Sequence, residues 1–327
     1  MNRLLNFSTH GGDLRLFADD WDRVAAFVAG QGFDGLELLP VGDYPFARIP
    51  AALVHGLHLR FFVMLRQIWR GDRKWLLETF GDWETVRRFY GGTDRTAIVD
   101  TYVHQLELAR RFGCRYVVFH PVHCELDHVH DWRFPWSWRE TLELCAEVMN
   151  EVLARSRYRG WLLFENLWWP GSLRLRDVEE YAYLRQRVAH DRCGIVLDTG
   201  HLLADGGGFD HEEAAISHLL ARLDSLGELR REIRAVHLTC SLSGRYIRAS
   251  RKSSLPRQSG FRQRLQAARE HVMQIDRHDP FSSPAIDRLF TRIEPADVVF
   301  EFSFRDLATW QEKIRVQKQA LRERLWT

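Results

Sequence analysis

Short, nearly unbroken apolar runs recur along the chain at 4–10, 34–40, 56–63, 114–121, 160–166, 193–200, 233–239 and 297–304. The longer stretches between them, such as 19–32, 100–113, 140–156 and 218–233, carry apolar residues three and four positions apart. That spacing is the signature of an amphipathic helix. A strand solvated on one face alternates apolar and polar side chains, whereas a strand covered on both faces reads as a continuous apolar run. Eight such runs alternating with helices predict an α/β fold, a parallel (β/α)8 TIM barrel. The expected organisation is one domain over 1–327, with enlarged loops after strand 3 (65–95), strand 4 (123–138) and strand 7 (241–285). A doubly wound open sheet is the runner-up, but no GxGxxG follows an early strand to support it.

Composition narrows the setting. A hydrophobic content of 45% supports a closed core. No apolar run reaches the roughly 18 residues that a membrane span needs. The first residues lack the pattern of a secretory signal. Five scattered cysteines without a CxxC fit a reducing, cytoplasmic setting better than a disulfide scaffold. With 46 basic and 44 acidic residues the net charge is +2, too balanced to imply nucleic acid by itself. Residues 245–264 depart from this balance, carrying seven Arg or Lys and no acid. They read first as a solvated loop and second as a grip for a polyanion.

Active sites of such barrels lie at the C-terminal ends of the strands. Here strand 4 delivers His120, strand 5 Glu165, strand 6 Asp198 followed by His201, strand 7 His237 and strand 8 Glu301. Strand 1 ends at His10, strand 2 offers Glu37 and strand 3 offers His58 and Arg60; Asp276 and His278 follow strand 7. Taken singly, each has a plain structural explanation; Asp198, for example, could simply cap the next helix. Glu165 and Glu301 are harder to explain so, because an unpaired carboxylate among apolar neighbours is costly. A bound divalent cation would account for all of them together. Histidine and carboxylate donors without a thiolate set suit zinc, manganese or iron.

The segments VVFHP, LLFENLWWPG, GIVLDTGHLLADG, VHLT, IDRH and VVFEF, in this order, resemble the xylose isomerase-like TIM-barrel superfamily. That group includes sugar isomerases and epimerases and the endonuclease IV type of abasic-site nuclease. The resemblance spans about 34 to 304. By resemblance to the epimerases, Glu165, Asp198, His237 and Glu301 would hold one metal. By resemblance to the nucleases, His58, His120, His201, Asp276 and His278 would join them and up to three ions would be held. The chain departs from the nuclease pattern at His237-Leu-Thr-Cys240, where that branch has His-x-Asn-Asp. Tryptophans 69, 75, 132, 136, 138, 168 and 169 are expected to crowd the mouth. An enclosed aromatic pocket suits a small ring, although aromatic side chains also stack on unpaired bases. Arg60, Arg66, Trp168, Trp169 and Glu37 are the candidate substrate contacts.

The first expectation is therefore a metal-dependent isomerase or epimerase acting on a small, anionic hydroxy-carbonyl substrate. Glu165 and Glu301 would move the proton from opposite sides of the barrel axis. The alternative is a multi-zinc phosphoesterase related to endonuclease IV, with nucleic acid among its substrates. A barrel that binds a ligand without turnover is the third reading.

Overall fold

The computed structural model describes residues 1–250 and 260–321. Its strands are β1 (Asn2–Ser8), β2 (Gly35–Leu39), β3 (Val54–His58), β4 (Tyr116–Phe119), β5 (Trp161–Glu165), β6 (Cys193–Asp198), β7 (Ile233–His237) and β8 (Asp297–Phe300). They close into a barrel in sequence order, every neighbouring pair parallel and β8 returning to β1. Each expected apolar run overlaps a strand, with β1 and β3 each beginning two residues early. The third differs most: pairing stops at His58, and residues 59–63 leave the sheet. His10 also lies beyond its strand, and its ring accepts the Gly12 N–H at the start of a short helix, Gly11–Leu16.

The outer layer includes α1 (Trp21–Gly30), α2 (Arg95–Phe112), α3 (Trp138–Ala154), α4 (Val178–Arg187), α5 (Thr199–Asp205), α6 (Glu212–Ser225), α7 (Phe261–Ile275) and α8 (Leu307–Ala320). Local chemistry sets their ends. Ser137 and Glu140 form a reciprocal capping box that starts α3. Between β2 and β3 the crossover is two 3-10 turns, Phe46–Arg48 and Ala51–Leu53, each preceded by a proline. A proline ring cannot continue a helix begun before it, so the segment stays short and angular.

The pleat of the barrel decides what reaches its interior, because residues two apart on a strand share a face. Leu4, Tyr116, Val118, Leu163, Val196, Ala235 and Val299 pack together as the inner apolar layer. Two residues further along the respective strands stand His120, Glu165, Asp198, His237 and Glu301. The alternate positions, among them Val117, Phe164, Ile195, Val236 and Phe300, face outward into the larger core beneath the helices. The hydrophobic floor thus carries a polar ring at the C-terminal end. One glycine is required by space: a Cβ on Gly56 would lie 2.3 Å from the Tyr116 ring.

The segment after β3 folds into three short helices, Arg66–Arg70, Arg73–Phe80 and Trp83–Tyr90, ahead of α2. The segments after β4 and β7 meet one another, since the His130 and His271 rings stack at 4.1 Å and Arg264 pairs with Asp127. Within the basic stretch, 251–259 lie outside the described residues, while Arg248 pairs with Asp210. Among the described residues, no helix is long and apolar enough to cross a membrane. All five cysteines are buried and free.

Candidate metal centre

At the C-terminal end of the barrel, nine side chains converge in three groups. His58, His120 and Glu165 offer ligand atoms all within 4.8 Å of one another, and so do Glu165, Asp198 and His237. Glu165 belongs to both groups. The third group lies beside them: Asp276 Oδ2 is 3.1 Å from His201 Nε2 and 2.7 Å from His278 Nε2. Glu301 completes the second group, with Oε2 2.9 Å from His237 Nδ1.

The rings are held from behind. His58 Nδ1 bonds the Leu59 carbonyl at 3.0 Å, His201 Nδ1 the Asn166 carbonyl at 2.8 Å and His278 Nδ1 the Glu301 carbonyl at 2.9 Å. A carbonyl only accepts, so each of these nitrogens carries a proton and the opposite nitrogen, which faces the cluster, is the one that could serve as a ligand once deprotonated. His237 is reversed: Nε2 donates to Glu37 Oε2 at 3.2 Å and leaves Nδ1 facing inward.

Asp198 does both things its position suggested. One oxygen caps α5 by accepting the His201 N–H at 2.7 Å, and the other, Oδ2, is buried without a hydrogen-bond partner. Asn166 fixes this turn reciprocally, donating to the Asp198 carbonyl at 3.0 Å and accepting its N–H at 2.9 Å. Close approach also explains Gly200, where a Cβ would stand 2.4 Å from Thr239 Oγ1. In the third group, Ser241 donates to Asp276 Oδ1 at 3.3 Å.

The electrostatics call for a cation. Burial would raise the Glu165 carboxyl, yet the charges of His120 and His237 hold it well below the usual carboxylate range. Burial pushes Asp198 up to about 7, and the charges of Glu165, Asp276 and Glu301 add to the effect. Burial favours neutral imidazoles, but the carboxylates around His201 and His237 raise both well above the ordinary histidine value. The acids therefore outweigh what neutral rings can balance. Glu165 Oε2, Asp198 Oδ2 and His237 Nδ1 are buried, mutually close and without hydrogen bonds. Such a donor set fits a divalent ion, and nitrogen and carboxylate oxygen without thiolate suit zinc or manganese.

Several expected substrate contacts lie elsewhere. Glu37 is fully buried under His237, where the Tyr116 hydroxyl donates to Oε2 at 2.8 Å. The register places it level with Gly56, two residues below His58 on β3. The Arg60 guanidinium donates to the Phe89 carbonyl and stacks over Phe62 at 4.4 Å, so its charge is held by neighbours. Arg66 faces Glu140 at 3.9 Å.

The aromatic residues sort similarly. Trp168 and Trp169 are buried, and Trp168 walls the site with its ring 4.8 Å from that of His201. Trp69 donates to Glu147 on α3, Trp136 donates to the His123 carbonyl, and Trp138 packs on Tyr183 of α4. Trp69 and Trp138 thus find partners in the helical layer, while Trp136 packs within the loop after β4. Phe61, missed in the sequence, does open to solvent there. It is 39% exposed, 4.4 Å from the His120 ring and nearly parallel to Trp169 at 6.3 Å. The departure of the chain from the sheet after His58 is what presents it. Asn166 was the other omission, and its place directly after Glu165 was the available signal.

A family model described as a xylose isomerase-like TIM barrel matches residues 25–282. Among solved structures, endonuclease IV from Thermus thermophilus is similar at 18% identity and a TM-score of 0.53, over 99% of this chain and 100% of that one. A D-tagatose 3-epimerase-like protein is similar at 14% identity and a TM-score of 0.53, again over 99% and 100%. At these identities the likeness is one of fold. No curated protein sequence gives a significant match.

Proposed function

Because the chain belongs to the xylose isomerase-like TIM barrel family, whose known folds carry more than one chemistry, we propose from its own geometry that it is a multinuclear metal hydrolase of phosphate esters. The observation that carries this reading is the convergence of nine ligand-type side chains in three groups around Glu165. A one-metal epimerase would need only Glu165, Asp198, His237 and Glu301, and would leave five buried or half-buried ligands without a task. Glu165 and Glu301 both approach one nitrogen, His237 Nδ1, at 3.4 and 2.9 Å, as fellow ligands of one ion would.

Divalent ions held there, zinc or manganese, supply Lewis acidity and lower the pKa of water. The chain's own residues do the rest. Glu165 ties the first group to the second, Asp276 holds the third together, and Ser241 and Glu37 fix Asp276 and His237 from outside. Buried Trp168 and half-exposed Phe61 limit water on one side and offer a ring face to the organic part of the ester. Five free, buried thiols support placement in a reducing compartment such as the cytoplasm.

The test is elemental analysis of the purified protein together with turnover of bis(p-nitrophenyl) phosphate. Two or three ions per chain with hydrolysis are expected, and His201→Ala should lower the ion count by one. One ion per chain, with exchange of a ketose C–H for deuterium and no ester cleavage, would restore the epimerase reading.

A further inference from the structure

The opposite, N-terminal end of a (β/α)8 barrel ordinarily serves stability. Here that end opens into a cavity of about 390 Å³ whose wall carries Arg115, Arg159, Arg192 and Arg234. They arrive at the starts of β4, β5, β6 and β7 respectively, so the barrel closure itself gathers them. Arg115 is neutralised by Asp297, which lines the same cavity. Among the described residues, Arg159, Arg192 and Arg234 have no ion-pair partner. Arg159 spends one N–H on the neighbouring Tyr158 carbonyl at 2.9 Å. The Arg234 Nε is buried without a hydrogen-bond partner, while its guanidinium lies 4.3 Å over the Trp161 ring. A second depression of about 570 Å³ shares Arg159 and Arg192 and brings in His190 and a single carboxylate, Asp191.

Guanidinium groups around one hollow repel each other, and a buried N–H without an acceptor adds to that cost. Some surface arginines of this chain are answered by acids, as Arg88 is by Glu84 and Arg315 by Glu312, and others stand singly on open surface. What distinguishes this cluster is that three arginines without an ion pair share the wall of one cavity, large enough for a small molecule. We propose that the cavity is an anion site for a compact, phosphate-bearing small molecule with two or more negative charges. The forked N–H groups of arginine match the geometry of phosphate oxygens, and Trp161 gives the cavity an apolar edge. This site is separate from the metal centre and does not depend on the hydrolase reading.

The probe is inorganic pyrophosphate, titrated calorimetrically into the metal-loaded protein at physiological ionic strength. Arg159 and Arg192 are exposed, so Arg159→Ser/Arg192→Ser should fold normally, with an unchanged melting temperature. Arg88→Ser/Arg315→Ser removes the same charge on distant helices. The wild type and this control should share a saturable binding component that is at least tenfold weaker in Arg159→Ser/Arg192→Ser. The proposal is overturned if the wild type binds no pyrophosphate, if Arg159→Ser/Arg192→Ser binds as the wild type does, or if the control loses as much.

Discussion

Replacing Glu37 by glutamine tests whether His237 is a ligand held from below. The carboxylate is fully buried and only accepts: Tyr116 donates to Oε2 at 2.8 Å, His237 Nε2 to the same oxygen at 3.2 Å, and Asn6 Nδ2 weakly to Oε1 at 3.5 Å. Glutamine keeps the shape but turns one oxygen into a donor, so its N–H2 either replaces the oxygen that Tyr116 and His237 share or stands about 3.1 Å from the His237 Nε2–H. A buried mismatch of that kind costs about 1–3 kcal/mol of folding stability. The loss of the negative charge also makes the inward Nδ1 of His237 a poorer donor to a metal. Outer partners of this kind are typically worth 10–100-fold in metal affinity, or about 1.4–2.7 kcal/mol. Competition against a chromogenic chelator at fixed pH should show that loss, and most turnover should return at saturating metal. If Glu37→Gln held metal as the wild type does while KM for the ester rose, Glu37 would be a substrate contact and the argument would fail.

Phe61→Ala should leave stability within about 1 kcal/mol, since the ring is part-exposed. It should raise KM for an aromatic phosphodiester by roughly tenfold, as expected for a lost stacking face; an unchanged KM would remove Phe61 from the site. Asp205→Asn should destabilise the fold by about 3 kcal/mol in urea titrations. Its side chain is fully buried, bonded by Arg176 at 2.9–3.1 Å and faced by Arg222 at 3.6 Å, and losing it strands their charge. Burial, with the charge of His130, lowers His271 to about 4. Its folded form therefore binds fewer protons than the unfolded chain below the ordinary histidine value of about 6.5. Stability should fall as pH drops from there towards 4, and His271→Asn should flatten that limb in melting curves; parallel limbs would refute the assignment.

The barrel was legible because parallel strands covered on both faces must be apolar throughout, and eight such runs have few ways to pack. The polar ring was legible for the same reason, as a carboxylate such as Glu165 stands out against Trp-Leu-Leu-Phe. Height along the barrel axis was not. Glu37 shares the inward face with the cluster but sits one pleat lower, and only the register with Gly56 and Tyr116 reveals it. Periodicity likewise ran on through residues 59–63, because Leu59, Phe61 and Phe62 are apolar whether or not they pair in a sheet, and so Phe61 went unnoticed. The tryptophans misled because an indole near a strand end can turn into the helical layer once its N–H finds an acceptor there, as Trp69 does with Glu147. The partners of a given arginine are distant in the chain, so neither the Phe89 carbonyl that Arg60 meets nor the gathering of Arg159, Arg192 and Arg234 at one end of the barrel was visible in the sequence.

The two-residue pleat that lifts each ligand one step above the apolar floor makes strand length more strictly constrained than strand composition. Val196 could become isoleucine, or Leu163 methionine, and the layer would repack. One residue inserted between Leu163 and Glu165, or between Ala235 and His237, would instead turn the ligand outward among the helices and an apolar side chain inward. Lineages of this barrel are therefore free to diversify by substitution and by lengthening loops, but their strands must keep count.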